Sequence, residues 1–591
     1  MTTLPKIPNT DPERYPLDAF RISVAASVHK GLPTIPLDKA YEAVDINRKG
    51  VDFSIAIPRF KLGGKPDVWA KKVEESFEAD DYIETVKAEG AFLSFTARTT
   101  SVLRNVLTTI DHLSHHSSSG EAVYGTNESG KGKKVVIEYS SPNIAKQFHV
   151  GHLRSTIIGA FLTNVYKACG WEVTSLNYLG DWGKQFGLIA IGYERYGSEE
   201  ELEKDAIKHL YTVYVKINAD AENDPKVHDE ARAYFARMEN GDESSLVMWR
   251  KWRDLSIEKY KEEYARLNVH FDVYSGESQV GKESQDDCLK RLEDMGLIKD
   301  SEGAKLVDLE EYKLGKAIVR KKDGTSIYLT RDIGGAVERF DKYHFDKMIY
   351  VVASQQDLHL AQFFKVLNLL KYPWAPTLEH VNFGMVQGMS TRKGTAVFLD
   401  EIIQEASRVM HEQMQSNEEK YALIEDPERT AREVGITAIK IQDMSAKRIN
   451  NYTFNWSRML SFEGDTGPYL QYAHVRLASI QRKNPSLVPL PPASEISYDA
   501  LAADVKAREI AFWLATYPDV VRTAQERHEP SGVVTFCMKL AHMIASAWEV
   551  LNVKGEADQE KARARLFLFI CAGDVLGAAL RLLSITPLER M

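Results

Sequence analysis

The sequence predicts an α/β protein of several modules: a parallel-sheet core set between a smaller α+β region and an all-helical one. Three observations carry that expectation. From Lys134, KVVIEYSSPNIAKQFHVGHLRSTIIGAFLTNVYKACG passes from a short apolar run to a helical period, with Leu153, Ile157, Phe161, Val165 and Ala168 aligned until Gly170 stops the helix. A matching unit returns as the apolar run Met348 to Ala353 followed by LHLAQFFKVLNLL. From Asp400 onward the period is helical almost throughout, broken by the Pro-rich NPSLVPLPP.

The 591 residues are too many for one hydrophobic core, so about two to four domains are expected. A net charge of −9 argues against a protein that coats nucleic acid indiscriminately, while leaving room for a local basic face. No apolar run is long enough to span a bilayer, and the start, MTTLPKIPNTDPERYP, has neither an apolar signal core nor an Arg-rich transit pattern, so a cytoplasmic protein is expected. An alternative start leading to a mitochondrial form is compatible with the sequence. Cys169, Cys288, Cys537 and Cys571 are scattered without a CxxC pair, which suits buried free thiols better than zinc or disulfides. No metal held by the protein itself is expected.

Taken in order, VDFSIAIPRF reads as a strand ending at Pro58, DVWAKKVEESF as an amphipathic helix, AFLSFTA as a second strand and SVLRNVLTTIDHL as a second helix. An α+β module over residues 1–115 follows. SHHSSSGEAVYGTNESGKGKK cannot supply a core and reads as a linker. The next module is expected over 130–405, interrupted at about 195–300 by a charged helical insertion with an apolar stripe through Leu246, Trp249, Ile257, Tyr260, Tyr264 and Leu267. AIVRK is expected to turn through Asp323-Gly324 into a strand TSIYLT, and HVNFGMVQ to form another strand. Two βαβ halves flanking an insertion make a Rossmann-type nucleotide-binding domain. An all-helical module fills 406–591.

The chemistry concentrates in two loops. His149-Val150-Gly151-His152 falls where an open α/β sheet binds ligands and where helix-terminal N–H groups favour anionic oxygens. GMSTRKG, Gly388 to Gly394, offers hydroxyls, N–H groups and two cations to a polyphosphate, although a solvated basic turn has the same composition. An HxGH loop after the first strand and an MSxxK-type loop after the last together resemble the paired signatures of class I aminoacyl-tRNA synthetases. SSPNIAKQFHVGHLRSTIIG, NYLGDWGKQFG, IYLTRD, SQQDLH and SFEGDTGPYLQYAH narrow the likeness to the eukaryotic, particularly fungal, arginyl-tRNA synthetases, over nearly the whole chain.

That resemblance implies a Rossmann-type class I catalytic domain and a C-terminal helical anticodon-binding domain, with the N-terminal module meeting the tRNA D-loop. It implies an arginine–tRNA ligase that uses ATP with Mg2+, takes L-arginine and tRNA(Arg) as partners and is expected to be a monomer. His149, Gly151 and His152, with Met389, Ser390 and Lys393, would bind ATP. The second loop lacks the usual leading lysine, and Lys146 is placed to replace it. A guanidinium demands rigid acceptors; the resemblance implies Glu138, Tyr328 and Asp332 for it, and Asn143 and Gln356 for the amino-acid end. For tRNA it implies Phe92, Tyr469, Tyr472, Arg476 and Met591, and Lys447 and Arg448 could add phosphate contacts. Relatives more often carry an amide where Glu89 and Ser94 stand. Two other readings accommodate part of the pattern: an HxGH nucleotidyltransferase acting on a small molecule, and a non-catalytic tRNA-binding descendant.

Overall fold

The computed structural model describes residues 3–46, 51–144, 146, 148, 150–321, 328–388, 398–416 and 418–591. The N-terminal region is a helix, Pro16–Gly31, packed with the antiparallel strands β1 (Asp45–Ile46), β2 (Phe53–Ala56), β3 (Ile83–Glu89) and β4 (Phe92–Ala97), in the order β1-β2-β4-β3. Proline at the start of helices Pro16–Gly31 and Pro66–Ser76 occupies a position whose N–H has no helical partner to lose.

The centre is a parallel sheet of β5 (Lys134–Glu138), β6 (Glu172–Leu179), β7 (Val273–Gly276), β11 (Lys347–Tyr350) and β12 (Leu378–His380), ordered β12-β11-β5-β6-β7. β5 lies in the middle and is buried on both faces: Val135 and Ile137 enter one hydrophobic core and Val136 the other. The chain leaves β5 towards β6 and β7, then returns to lay β11 on the opposite side. The C-terminal ends of β5 and β11 therefore bound the crevice in which such sheets bind ligands.

The insertion departs from the expected all-helical form. Helices Glu199–Lys204, Ala206–Asn223, Lys226–Glu239 and Glu243–Arg266 fit it, and Trp249, Ile257, Tyr260, Tyr264 and Leu267 of the apolar stripe are buried. The chain then supplies β7 to the central sheet and, after helix Lys282–Asp294, a separate antiparallel sheet of β8 (Ile298–Ser301), β9 (Ala304–Asp308) and β10 (Lys316–Arg320). AIVRK is thus a strand of a different sheet. Tyr328, Leu329 and Thr330 open a helix, Tyr328–Tyr343, instead of ending a strand; residues 322–327 lie outside the described residues. HVNFGMVQ splits between the end of β12 and a two-residue strand, Val386–Gln387, which pairs in parallel with Tyr452–Thr453. The linker is partly packed, since Tyr124 is buried and donates from its hydroxyl to the Leu514 carbonyl at 2.9 Å.

Among the described residues beyond Leu399 the regular elements are helices apart from that short strand, the last being Gln559–Leu582. The N-terminal region rests on this helical part through a bidentate Arg508–Asp52 pair at 2.6 and 3.1 Å and the Phe53–Phe512 rings, 5.6 Å apart. All four cysteines are free and buried. Among the described residues no helix is long and apolar enough to cross a membrane, and no group of three or more His, Cys, Asp or Glu side chains could hold a metal ion.

Candidate active site

β5 ends at Glu138, level with Tyr350 of β11 and Leu176 of β6. Beyond it Ser140 and Ser141 take left-handed φ values of 69° and 47°, turning the chain sharply out of the sheet. The Ser140 amide donates to Ser155 Oγ at 2.9 Å, and Ser155 Oγ donates to the Val351 carbonyl at 2.7 Å. This loop, helix Val150–Ala168 and the loop after β11 are thereby joined across the crevice. A cleft of about 520 Å³ opens there, lined among others by Ser140, Gly151, His152, Gln356 and Met385. Gly151 and His152 stand in the first turn of their helix, and the His152 ring lies 5.4 Å from that of Phe148.

Beside this cleft the structure gathers carboxylates. Glu138 is buried and sits 2.6 Å from the Arg339 guanidinium. Burial pushes its carboxyl up from the usual range, Arg339 opposes that, and Asp332 adds to the rise. Arg339 is held over Tyr178, 4.7 Å from the ring centroid, and over Tyr350 at 5.7 Å. Asp332, half-buried, contacts His359 Nε2 at 2.7 Å, and that hydrogen bond raises the imidazole. Tyr328, one turn earlier on the same helix, shares a face with Asp332 and is 69% exposed.

Glu277 was not singled out by the sequence reading. It follows β7 as Glu138 ends β5, pairs with Arg331 at 2.6 Å, and is pushed up to about 7 by burial against the pull of Arg331, with Asp181 and Asp332 adding to the rise. The available signal is weak, a carboxylate directly after the four residues Val273-Tyr274-Ser275-Gly276, within the stretch whose charge and period predict a helical insertion.

Asn143 bridges to Gly180 and donates from Nδ2 to Gln185 at 3.3 Å. A side chain at Gly180 would crowd it, since an added Cβ would lie 3.1 Å from Asn143 Nδ2. Gln356 is exposed in a turn before helix Asp357–Leu369 and faces the cleft. Lys146 is exposed, its amide bonded to the Asn143 carbonyl. His149, Met389, Ser390 and Lys393 lie outside the described residues.

The residues expected to meet tRNA fall in two places. Phe92 is 44% exposed where β4 begins, directly after the β3–β4 turn at Gly90. Tyr469, Tyr472 and Arg476 share helix Gly467–Lys483. The Tyr469 ring is half-buried against His542 at 5.4 Å, whereas Tyr472 is exposed and Arg476 stacks on Trp548 at 4.4 Å. The C-terminal segment is tied to the same helix: the Leu588 amide donates to Gln471 at 3.0 Å, and Arg482 donates to the Glu589 carbonyl at 2.8 Å, bringing Met591 close. Lys447 is exposed, but Arg448 is used internally, donating to Asn382 and to the His528 carbonyl, so its guanidinium is not offered to a phosphate.

Residues 117–456 match the family model for the catalytic domain of class I (R) tRNA synthetases, and residues 470–591 match that for the DALR anticodon-binding domain. The parallel sheet, the switch-point cleft and the helical C-terminal region are therefore those of a class I aminoacyl-tRNA synthetase. The cytoplasmic arginine–tRNA ligase of Saccharomyces cerevisiae is 49% identical, covering 99% of this chain and 96% of the relative. The probable cytoplasmic enzyme of Schizosaccharomyces pombe is 47% identical, covering 100% and 97%. The chain belongs to the arginyl-tRNA synthetases. Its fold is shared with the arginyl-tRNA synthetase of Thermus thermophilus, at a TM-score of 0.77, 22% identity and coverage of 97% of this chain and 100% of that one.

Proposed function

We propose that the chain activates L-arginine with ATP, carried as its magnesium complex, and transfers the arginyl group to tRNA(Arg), with the chemistry in 130–405, anticodon contacts in 406–591 and D-loop contacts in 1–115. The observation that carries this reading is the set of carboxylates, Glu138, Asp332 and Glu277, beside the cleft that Gly151 and His152 line. A planar cation with five donors suits such a set, and few other amino-acid side chains do. Glu138, Asp332 and Tyr328 take the guanidinium; Asn143 and Gln356 take the α-amino and carboxylate end.

The arginine carboxylate attacks the α-phosphorus, a new P–O bond forms, and the bond to the β-phosphate oxygen breaks to release pyrophosphate. Charge grows on the phosphoryl oxygens, so fixed donors do most of the catalysis. His149 and His152 donate there, and Gly151 lets adenine approach the backbone. Met389 and Ser390 bind ATP, Lys393 neutralises the pyrophosphate, and Lys146 replaces the lysine that usually leads that loop. In the second step the terminal ribose 2′-oxygen attacks the arginyl carbonyl carbon and AMP leaves. Phe92, Tyr469, Tyr472, Arg476 and Met591 hold the tRNA. By the same family likeness the first step requires bound tRNA.

The cytoplasmic yeast relatives support a cytoplasmic site of action, and the 43% identity to the mitochondrial S. cerevisiae ligase keeps an organellar form within the reading. A monomer is proposed. The test is arginine-dependent exchange of pyrophosphate into ATP, with and without tRNA. Exchange only with tRNA is expected; exchange without any amino acid, or none under either condition, contradicts the proposal.

A further inference from the structure

The segment that carries the second signature loop is barely attached to the central sheet. After β12, Phe383 bridges to Ala353, and from Gly384 to Gln387 the chain is bonded to residues 448–454 instead. The Gly384 amide donates to the Arg448 carbonyl at 2.9 Å, the Met385 amide to Asn451 Oδ1 at 2.6 Å, and the Tyr452 and Phe454 amides to the carbonyls of Met385 and Gln387 at 3.1 and 2.9 Å. The two segments approach so closely that a Cβ on Gly384 would lie 2.6 Å from the Asn450 backbone. Only glycine fits there.

Arg154 fastens this pair of segments to the helix of the first signature. It lies two residues after His152, is 1% exposed, and donates from Nη1 to the Gly384 carbonyl at 2.6 Å and to the Asn450 carbonyl at 2.9 Å. Its guanidinium lies 5.1 Å from the Tyr452 ring centroid, and Nε is 3.4 Å from Asp443, which also accepts a 2.9 Å bond from the Tyr452 hydroxyl. The Arg154–Asp443 contact is long and poorly aligned; Nε and Nη2 of Arg154 and Oδ1 of Asp443 have no hydrogen-bond partner among the described residues. A buried ion pair so incompletely satisfied is a poor source of stability. Its geometry is better suited to fixing a register: Nη1 alone reaches the carbonyls of Gly384 and Asn450 at once, from a rigid planar group that also lies over the Tyr452 ring, and the shorter, flexible stem of a lysine cannot keep both the carbonyl and the ring contacts in the same place.

We infer that Arg154 is a positioning residue that holds the segment Gly384–Gln387, which leads into the second signature loop, against the helix of the first signature, and so aligns the ATP half of the active site. The inference rests on the function proposed above. Because Asp443 and residues 448–454 lie in and just after helix Pro427–Met444, the alignment also depends on where the helical region sits. Neither Glu138 nor Asp332 is bonded to this cluster, so recognition of the guanidinium is separate from it.

The test is pyrophosphate exchange with saturating tRNA, for the wild type, Arg154→Lys and Tyr452→Phe, each checked by thermal unfolding. Lysine keeps a charge opposite Asp443, and phenylalanine removes one bond from the clamp. Displacing a reacting group by about 1 Å costs on the order of 100-fold, so Arg154→Lys is expected to lower kcat/KM for ATP by about 10- to 100-fold. Tyr452→Phe is expected to lower it by about 3-fold through the weaker hold on Asp443. KM for arginine stays within about 2-fold in both, because the carboxylates proposed for the guanidinium are not bonded to the clamp. A fall confined to the ATP parameter in a folded variant supports the inference. Equal losses for both substrates, or wild-type values, overturn it. If Arg154→Lys does not fold, Tyr452→Phe decides alone by the same criterion. A wild-type protein without arginine-dependent exchange would instead remove the functional reading on which the inference stands.

Discussion

Replacing Glu138 by glutamine separates two demands on one carboxylate. In the structure this group neutralises Arg339, whose side chain is only 12% exposed. Removing one member of a buried pair typically costs about 3–5 kcal/mol, because the other charge is left without a partner. Here the guanidinium keeps the Tyr178 and Tyr350 rings and a 3.4 Å contact with the Tyr350 hydroxyl, so the lower end, about 3 kcal/mol, is expected. If Glu138 also receives the substrate guanidinium, a charge-assisted hydrogen bond worth about 1.5–3 kcal/mol is lost as well, raising KM for arginine by about 10- to 100-fold. The assays are urea unfolding and pyrophosphate exchange titrated with arginine at saturating ATP and tRNA. A destabilised variant whose arginine KM is unchanged would falsify the recognition role, leaving Glu138 as no more than the partner of Arg339. An unchanged unfolding midpoint would refute the reasoning about the pair.

Three other outcomes follow from the same geometry. Asp443 is pushed up to about 6 by burial, against the pull of Arg154 and the Tyr452 hydrogen bond. An acid held above its unfolded value binds its proton more tightly when folded, so its contribution is complete below about pH 4 and is lost as pH rises through about 6. The stability difference between wild type and Asp443→Asn should therefore shift across that window by up to about 3 kcal/mol, measured by unfolding at each pH; a flat difference contradicts the shift. Arg508→Ala removes the bidentate hold on Asp52, with its further bonds to the Ala97 carbonyl and Thr99, and should lower stability by about 2 kcal/mol and speed proteolysis between the N-terminal and helical regions. Unchanged unfolding and cleavage would show that the aromatic contacts suffice. Tyr472→Ala should weaken tRNA binding by about 1–3 kcal/mol if the exposed ring stacks on an unpaired base, with KM for arginine unaltered once tRNA saturates; unchanged tRNA affinity excludes that contact.

Much of this arrangement was legible because local signals agree with the fold. The change of period across KVVIEYSS and HVGHLRSTIIG marks a strand and a helix, and Glu138, Gly151 and His152 fall where that unit meets the cleft. Helix Pro16–Gly31 was missed for a physical reason: Leu17, Phe20, Val24 and Val28 are buried, but so are Asp18, Ser23, Ala19 and Ala25, leaving no clear polar stripe. β7 is four residues long between charged helices, too short for a pattern of its own, and Glu277 was hidden with it. Tyr328, Leu329 and Thr330 suggest a strand by composition, yet they open a helix because Leu329 and Ile333 pack into a core. Arg448 looked like a surface cation, and its use inside the fold depends on Asn382 and His528, both distant in sequence. Arg154 gave no signal at all, since its acceptors lie 230 and 296 residues away.

Carboxylates at the ends of β5 and β7 and on helix Tyr328–Tyr343 are proposed to make the site one for a guanidinium. Attachment of radiolabelled arginine and citrulline to tRNA(Arg) tests it most directly, because citrulline keeps the length of arginine and loses its charge. A site whose buried acceptors are built for the missing group should prefer arginine by about 10,000-fold or more in kcat/KM. Comparable charging with citrulline, or with an uncharged amino acid of similar size, would contradict the account.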